Sequence, residues 1–430
     1  YITIIILNKR DFIKALGVMT LSTPFLNFHK QNMFEGQELS ERNNLNEDDF
    51  WKEIRKDYAL KSEYVNLENG YYCFIPKPTL NKFINHVKNV NFQGSYYMRN
   101  NRDIDNRKVA KRLSKLVNCG QEELAITRNT TESLDLVISG YPWKENDEAI
   151  FAEQDYGSMQ EMFKLMAERK GIINKIVSVP NHPKDDKEIV SLYEKQITSK
   201  TKLIMVSHMI NITGQILPVK KICEMAHSYN IDVLVDGAHC VGHIDVDIND
   251  IGCDYYGSSL HKWLSAPLGT GLLYVKKKNI SKIEPLLAGH NHERDNILRL
   301  NHIGTHPVHS DLTINDAIDY LESIGSKRKE KRLRYIQRYW SDKLRYHKNI
   351  IINTPEEKHR SCGIANIGVK NLKPSELSDI LFKEYGIFTV AIDYANVKGC
   401  RITPNIYTNK NELDYFVESM KKIALKWKEI

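Results

Sequence analysis

Two residues define the chemistry this sequence can perform. Asp236 ends the run Ile231-Asp232-Val233-Leu234-Val235-Asp236, and Lys262 follows in Leu260-His261-Lys262-Trp263-Leu264. Lysine is rarely buried without a partner, so one set between a histidine and a tryptophan either reaches solvent or uses its amine. Ligands of open α/β sheets gather outside the carboxyl ends of the strands, and both residues follow strand-like runs. A plain salt bridge is one reading of the pair. The other is the pair that pyridoxal phosphate needs: an amine that forms a Schiff base, and an acid that keeps the pyridine nitrogen protonated so that the ring accepts electrons. On these two residues alone, both readings stay open.

The elements that must position them alternate. Residues 202–207 form an apolar strand. A helix over 218–229 starts at a proline and spaces Ile222, Met225 and Ala226 along one face, and a second strand covers 231–236. Strand–helix–strand with apolar strands predicts a parallel sheet covered on both faces. Upstream, a short helix covers 50–55, a strand over 64–70 ends in a turn, and helices over 107–117 and 132–140 alternate with strands over 124–127 and 148–152. Another strand over 254–259 leads towards Lys262. Beyond Lys327 a long basic helix opens a second alternation, with strands at 364–369, 387–390 and 401–403 and helices from Pro374 and Asn411, which reads as a smaller α+β domain. The expected division is a leader over 1–45, a segment over 46–77 packing with the small domain, a large domain over 78–325 and a small domain over 326–430.

Composition bounds the alternatives. The chain has 430 residues, 41% hydrophobic and 27% charged, with a net charge of +7, which predicts a globular protein of two or three domains. The run Lys327-Arg328-Lys329-Glu330-Lys331-Arg332 reads as a solvated helix face, since no aromatic platform or recognition motif accompanies it, and no nucleic-acid partner is expected. Seven scattered cysteines include no C-x-x-C pair, so neither a disulfide framework nor a zinc site is signalled. His239, Cys240 and His243 lack a matching second pair, and no metal is expected there.

At the start, Asn8-Lys9-Arg10-Asp11-Phe12 precedes a weakly apolar run ending near Pro24. This resembles a twin-arginine export signal with Lys9 in place of the first arginine; an unstructured or membrane-adsorbing leader is the alternative. The run is too short and too interrupted for an integral membrane span. Export by this route or a cytoplasmic location are the two expectations.

The residues around Lys262 carry a longer pattern: Val235-Asp236-Gly237-Ala238-His239-Cys240-Val241-Gly242, then Gly252-Cys253-Asp254-Tyr255-Tyr256, then Leu260-His261-Lys262-Trp263-Leu264, Pro267 and Gly269-Thr270-Gly271. Here the sequence resembles the class V aminotransferase-like family, and within it the isopenicillin N epimerase-like and cysteine desulfurase-like proteins, over nearly all of the chain from Phe50. The resemblance implies the α/β fold of fold type I pyridoxal-phosphate enzymes, with a mainly parallel seven-stranded sheet and a smaller C-terminal α+β domain. It implies Lys262 as the Schiff-base lysine and Asp236 as the pyridine partner. Thr130 and Thr131, in Asn129-Thr130-Thr131-Glu132, would hold the cofactor phosphate at a helix N-terminus, a string that also reads as a capping box. Ser259 and His261 would add phosphate contacts, and Gly269–Gly271 would let the chain turn beneath. Tyr156 matches the stacking residue, although an ordinary core tyrosine fits its sequence equally. Asn211 and His239 match positions contacting the phenolic oxygen, and a turn before Gly214 also explains Asn211.

In the small domain, Arg401-Ile402-Thr403-Pro404-Asn405-Ile406-Tyr407-Thr408-Asn409 resembles the family segment whose arginine clamps the substrate α-carboxylate, which suits a planar fork. Asn69 is carried over with Arg401 as substrate-binding. Gly304-Thr305 resembles the loop that reaches the neighbouring subunit's phosphate, implying a homodimer; His306-Pro307 replaces the acid usual after that threonine.

The resemblance implies an enzyme acting at Cα of a small amino acid, by transamination or by epimerisation. Lyase chemistry of the cysteine desulfurase type is the alternative. Desulfurases of this family carry a nucleophilic cysteine shortly before the arginine; 387–398 contains none, Cys400 touches Arg401, and Cys362 falls in an earlier apolar strand, which marks both as structural. An exported binding protein without catalysis is the remote alternative.

Overall fold

The computed structural model describes residues 42, 44–289 and 292–427. The expected leader therefore lies almost wholly outside the described residues. The chain divides into two compact units, Tyr1–Lys56 and Asp57–Ile430. In the first, the helix Glu47–Lys56 has acids in its first turn and bases in its last, each stabilising the macrodipole end it sits on.

In the second unit the strands are β1 (Val65–Asn66), β2 (Leu124–Thr127), β3 (Glu148–Ala152), β4 (Ile173–Val177), β5 (Thr201–Ser207), β6 (Asp232–Asp236), β7 (Tyr255–Ser259), β8 (Gly271–Val275), β9 (Ile350–Ile352), β10 (Ala365–Val369), β11 (Ile387–Phe388), β12 (Val390–Tyr394) and β13 (Val397–Ile402). Seven of them form one sheet in the order β2-β8-β7-β6-β5-β3-β4. Pairings from β4 through β7 are parallel, while β8 runs antiparallel to both neighbours. Every residue of β2, β3, β7 and β8 is buried, the expected state of a sheet covered on both faces. At the edge, β4 exposes Ile173 and Ile176. Between the strands the core gathers Leu134, Val137, Phe151, Phe163, Met205, Leu234 and Leu273.

The smaller sheet is antiparallel throughout, in the order β12-β13-β10-β9. The helices Ser326–Leu344, Pro374–Tyr385 and Lys410–Lys426 accompany it, and β1 adds a parallel pairing with β11. No described helix is long and apolar enough to cross a membrane.

Among the expected elements whose bounds differ from those observed, three differ for a local reason. The strand over 64–70 shrinks to Val65–Asn66 because Glu68 Oε1 accepts from the backbone N–H groups of Gly70 and Tyr71, at 3.1 and 2.9 Å, and bends the chain. The helix expected from 132 begins at Thr130, since Asn129 Oδ1 accepts from the Glu132 N–H at 2.9 Å. The reciprocal half of a capping box is absent there: the Glu132 carboxylate takes the Arg128 N–H instead. The strand over 387–390 is broken at Thr389 into β11 and β12, which pair with different partners. Cys362 lies in a bend ahead of β10 and not in a strand.

Candidate active site

Register fixes the centre of the site. Ser207 at the end of β5 pairs with Asp236 at the end of β6, and Asp236 pairs with Gly257 of β7. Three strand ends therefore meet at the carboxyl edge of the sheet. Gly237 must lack a side chain here, because a Cβ would meet the Tyr256 ring at 2.1 Å. The turn between β7 and β8 returns Gly271 against the backbone of Asn129, where a Cβ would stand 2.7 Å away. That close approach brings the start of the helix Thr130–Gly140 beside the end of β7.

A cavity of about 370 Å³ opens at this edge. It is lined by Asp236, His239, Ser259, His261 and Lys262, by Thr130 and Thr131, and by Tyr156, Asn211 and Arg401. Ten of the sequence-derived residues thus share one wall system. Two do not line it. Thr305 lies on an exposed loop. Asn69 is fully buried: its amide donates to the Thr403 carbonyl at 2.6 Å and accepts from the Tyr407 hydroxyl at 2.6 Å. It braces Thr403, just past the end of β13, and does not line the cavity, which corrects its placement as a substrate contact. A larger cleft of about 800 Å³, beside Arg102, Arg107 and Gly304, contains neither Asp236 nor Lys262 and lacks their chemistry.

Lys262 is partly buried, and its Nζ lies 3.0 Å from His239 Nε2. Burial pushes its amine down to about 8, the nearby Asp236 carboxylate opposing that shift. The tautomer of His239 agrees. An indole N–H can only donate, and Trp263 Nε1 donates to His239 Nδ1 at 3.2 Å. A neutral His239 then carries its proton on Nε2, and the contact with Lys262 is a hydrogen bond only if the lysine accepts. Burial keeps His239 neutral by pushing its pKa well below the ordinary value. The arrangement therefore selects an uncharged Lys262 amine, the nucleophilic form. The hydrogen bond from Trp263 to His239 has no signal in the sequence.

Asp236 is buried, and burial raises its carboxyl pKa while the Ala238 N–H, 2.9 Å from Oδ1, and Lys262 lower it. A buried acid with a weakly charged lysine as neighbour is suited to a cationic N–H in the cavity, such as a protonated pyridine. Beyond it, Asp155 accepts from Ser207 Oγ at 2.6 Å, and burial raises its pKa to about 7.

At the opposite end, Thr130 N–H donates to Ser259 Oγ at 2.9 Å, and the two hydroxyls lie 2.7 Å apart. These groups open the helix Thr130–Gly140, whose N-terminus favours an anion. His261 donates from Nδ1 to the Thr270 carbonyl at 3.3 Å. Burial, followed by the charge of Lys262, lowers its pKa to about 4. The residues present thus fit a phosphorylated pyridine: an anion cradle, a lysine amine and a buried acid in one cavity. Tyr156, which could have been core, is exposed on the cavity rim.

His243 stacks on Trp263 with centroids 3.7 Å apart and accepts the Gly363 N–H at 2.7 Å, and Cys240 is buried. Among the described residues no group of three or more His, Cys, Asp or Glu could hold a metal. Cys362 and Cys400 are both buried with raised pKa values, consistent with structural roles.

Parallel strand ends, a buried acid and a lysine with a depressed pKa define a pyridoxal-phosphate enzyme of fold type I, and its cofactor is pyridoxal 5'-phosphate. The chain belongs to the aminotransferase class-V family, whose model matches residues 78–416. Relatives include an isopenicillin N epimerase of Streptomyces clavuligerus, 24% identical over 391 residues, covering 87% of this chain and 98% of that one. A probable cysteine desulfurase of Halalkalibacterium halodurans is 29% identical over 274 residues, covering 60% and 65%. The fold is similar to that of a cysteine desulfurase from Thermococcus onnurineus, with a TM-score of 0.77 and 20% identity, covering 87% of this chain and 98% of that one. It is also similar to a cystine C-S lyase, with a TM-score of 0.75 and 20% identity, covering 83% and 97%.

Proposed function

We propose that this enzyme acts at Cα of a small amino acid, with Lys262 as both the cofactor's anchor and the base that moves the Cα proton. The observation that carries this reading is the amine of Lys262, pushed down to about 8 inside the cavity that Asp236 and Thr130 share. A general base near the operating pH is the effective one. Bound cofactor supplies an electron sink for the carbanion at Cα. Asp236 would hold the sink's ring nitrogen protonated, and Thr130, Thr131, Ser259 and His261 would hold its phosphate. Tyr156 would lie against its ring, Asn211 and His239 would contact its phenolic oxygen, and Arg401 would orient the substrate carboxylate.

Epimerisation and transamination differ in where the proton returns, and both remain within this proposal. The second reading is lyase chemistry, since the relatives include desulfurases. None of the residues lining the cavity is a cysteine, which speaks against a persulfide carried on this chain but not against β-elimination. A homodimer, with Thr305 reaching the partner's phosphate site, belongs to the same proposal; the exposure of that loop agrees with it.

The test is a scan of L-amino acids against cofactor-loaded protein, followed by absorbance and product analysis. A D-isomer or keto acid supports the main reading, and sulfide or pyruvate the second. A protein that shows no cofactor absorbance after loading would overturn both.

A further inference from the structure

We propose that Glu68 is a positioning residue for carboxylate recognition: it holds one edge of the Arg401 guanidinium so that the other edge faces the cavity. This rests on the reading of Arg401 as the clamp for the substrate carboxylate. Arg401 Nη2 donates to Glu68 Oε1 at 2.6 Å and Nε donates to Oε2 at 3.3 Å, a two-point pairing between buried side chains. Glu68 is itself fixed, because Oε1 also accepts the Gly70 and Tyr71 N–H groups. Arg401 lines the cavity and Glu68 does not, so Glu68 stands behind the guanidinium and not in a ligand's place.

A guanidinium has five N–H donors in a fixed plane. The Nε proton and one Nη2 proton go to Glu68. Nη1 reaches the Asn211 carbonyl at 3.3 Å, a long contact that leaves the Nη1–Nη2 end as the edge for a ligand. Gly70 makes this orientation possible. A Cβ there would meet Arg401 Cζ at 2.6 Å, so the fork lies flat against the glycine. Arginine carries large rotamer freedom, and Glu68 removes it before a ligand arrives. Preorganisation of this kind strengthens binding by cutting the ordering cost.

The experiment compares wild-type and Glu68→Gln holoenzyme with three probes. Propanoate, titrated calorimetrically, reads the carboxylate site alone and needs no reaction at the cofactor. Alanine and ethylamine, read by absorbance, share an amine and differ in the carboxylate. The expected result is about tenfold weaker binding of propanoate and alanine, as for loss of a charge-assisted pair, with ethylamine changed by less than about twofold. In an Arg401→Lys background the Glu68→Gln loss should disappear. Glu68→Asp, tested in the same way, keeps the question decidable if Glu68→Gln misfolds. Tighter propanoate binding in Glu68→Gln would overturn the proposal by making Glu68 a competitor for Arg401. Equal losses for all three probes would overturn it by making Glu68 merely structural. A wild-type protein without a cofactor band would instead sink the functional reading, and the propanoate titration would still decide the role of Glu68.

Discussion

On the cofactor side of the cavity, Ser207, Asp236 and Ser259 arrive at the ends of three adjacent strands. On the side proposed to take the substrate carboxylate, Arg401 is held by Glu68, 333 positions away in the chain. The first wall is set by sheet register, and a one-residue slip would move every buried side chain of a strand to the other face. The second wall exists only where two distant segments dock. There β1 pairs with β11, and Asn69 bonds both Thr403 Oγ1 and the Thr403 carbonyl, each at 2.6 Å. Changes to the first wall should therefore damage chemistry, and changes to the second should damage recognition.

The contrast can be broken by mutation. Lys262→Ala should lower kcat by about a thousandfold or more, since anchor and base are lost together, measured at saturating substrate. Asp236→Asn should lower kcat by about a hundredfold, with KM for the amino acid nearly unchanged; a change confined to KM would contradict the division of the walls. Asn69→Ala should do the reverse. Removing its buried hydrogen bonds costs about 1–3 kcal/mol of stability, and KM should rise by about tenfold as the carboxylate wall loosens, with little change in kcat. Thermal unfolding and steady-state kinetics read the two effects.

The smallest effect sharpens the cofactor wall. Cofactor capture by the apoprotein requires an uncharged Lys262, so its rate should rise with pH through about 8. Trp263→Phe removes the N–H that fixes the tautomer of His239. His239 can then turn an acceptor towards Lys262, which favours the charged amine and raises its pKa. The capture profile should move about one unit to higher pH. An unmoved or acid-shifted profile would contradict the tautomer argument.

The two walls were unequally legible in the sequence. Asp236 and Lys262 stood out because one ends a strand-like run and the other closely follows one, and the surrounding glycines marked the close approaches that Gly237 and Gly271 make. Thr130 and Ser259 were found separately, but their direct contact came only from the return of β8 beside β2. Glu68 was overlooked because an acid before Asn69-Gly70 reads as an ordinary turn. Its signal was the conjunction of a turn acid with an arginine far along the chain, and single-sequence periodicity contains no such pairing. Asn69 was misplaced for the same reason: a residue that braces the clamp and one that touches the ligand share the same sequence context. The boundary errors at 64–70 and at Thr130 arose from side chains bonding the backbone, through Glu68 and Asn129, which hydrophobic spacing does not report.

The central claim is that Lys262 is the residue to which the cofactor is joined. Borohydride reduction of the cofactor-loaded protein, followed by peptide mass mapping, tests it directly. The account predicts a single modified lysine in the peptide containing Leu260-His261-Lys262-Trp263, absent from Lys262→Ala. Modification of another lysine, or none in a protein saturated with cofactor, would contradict it.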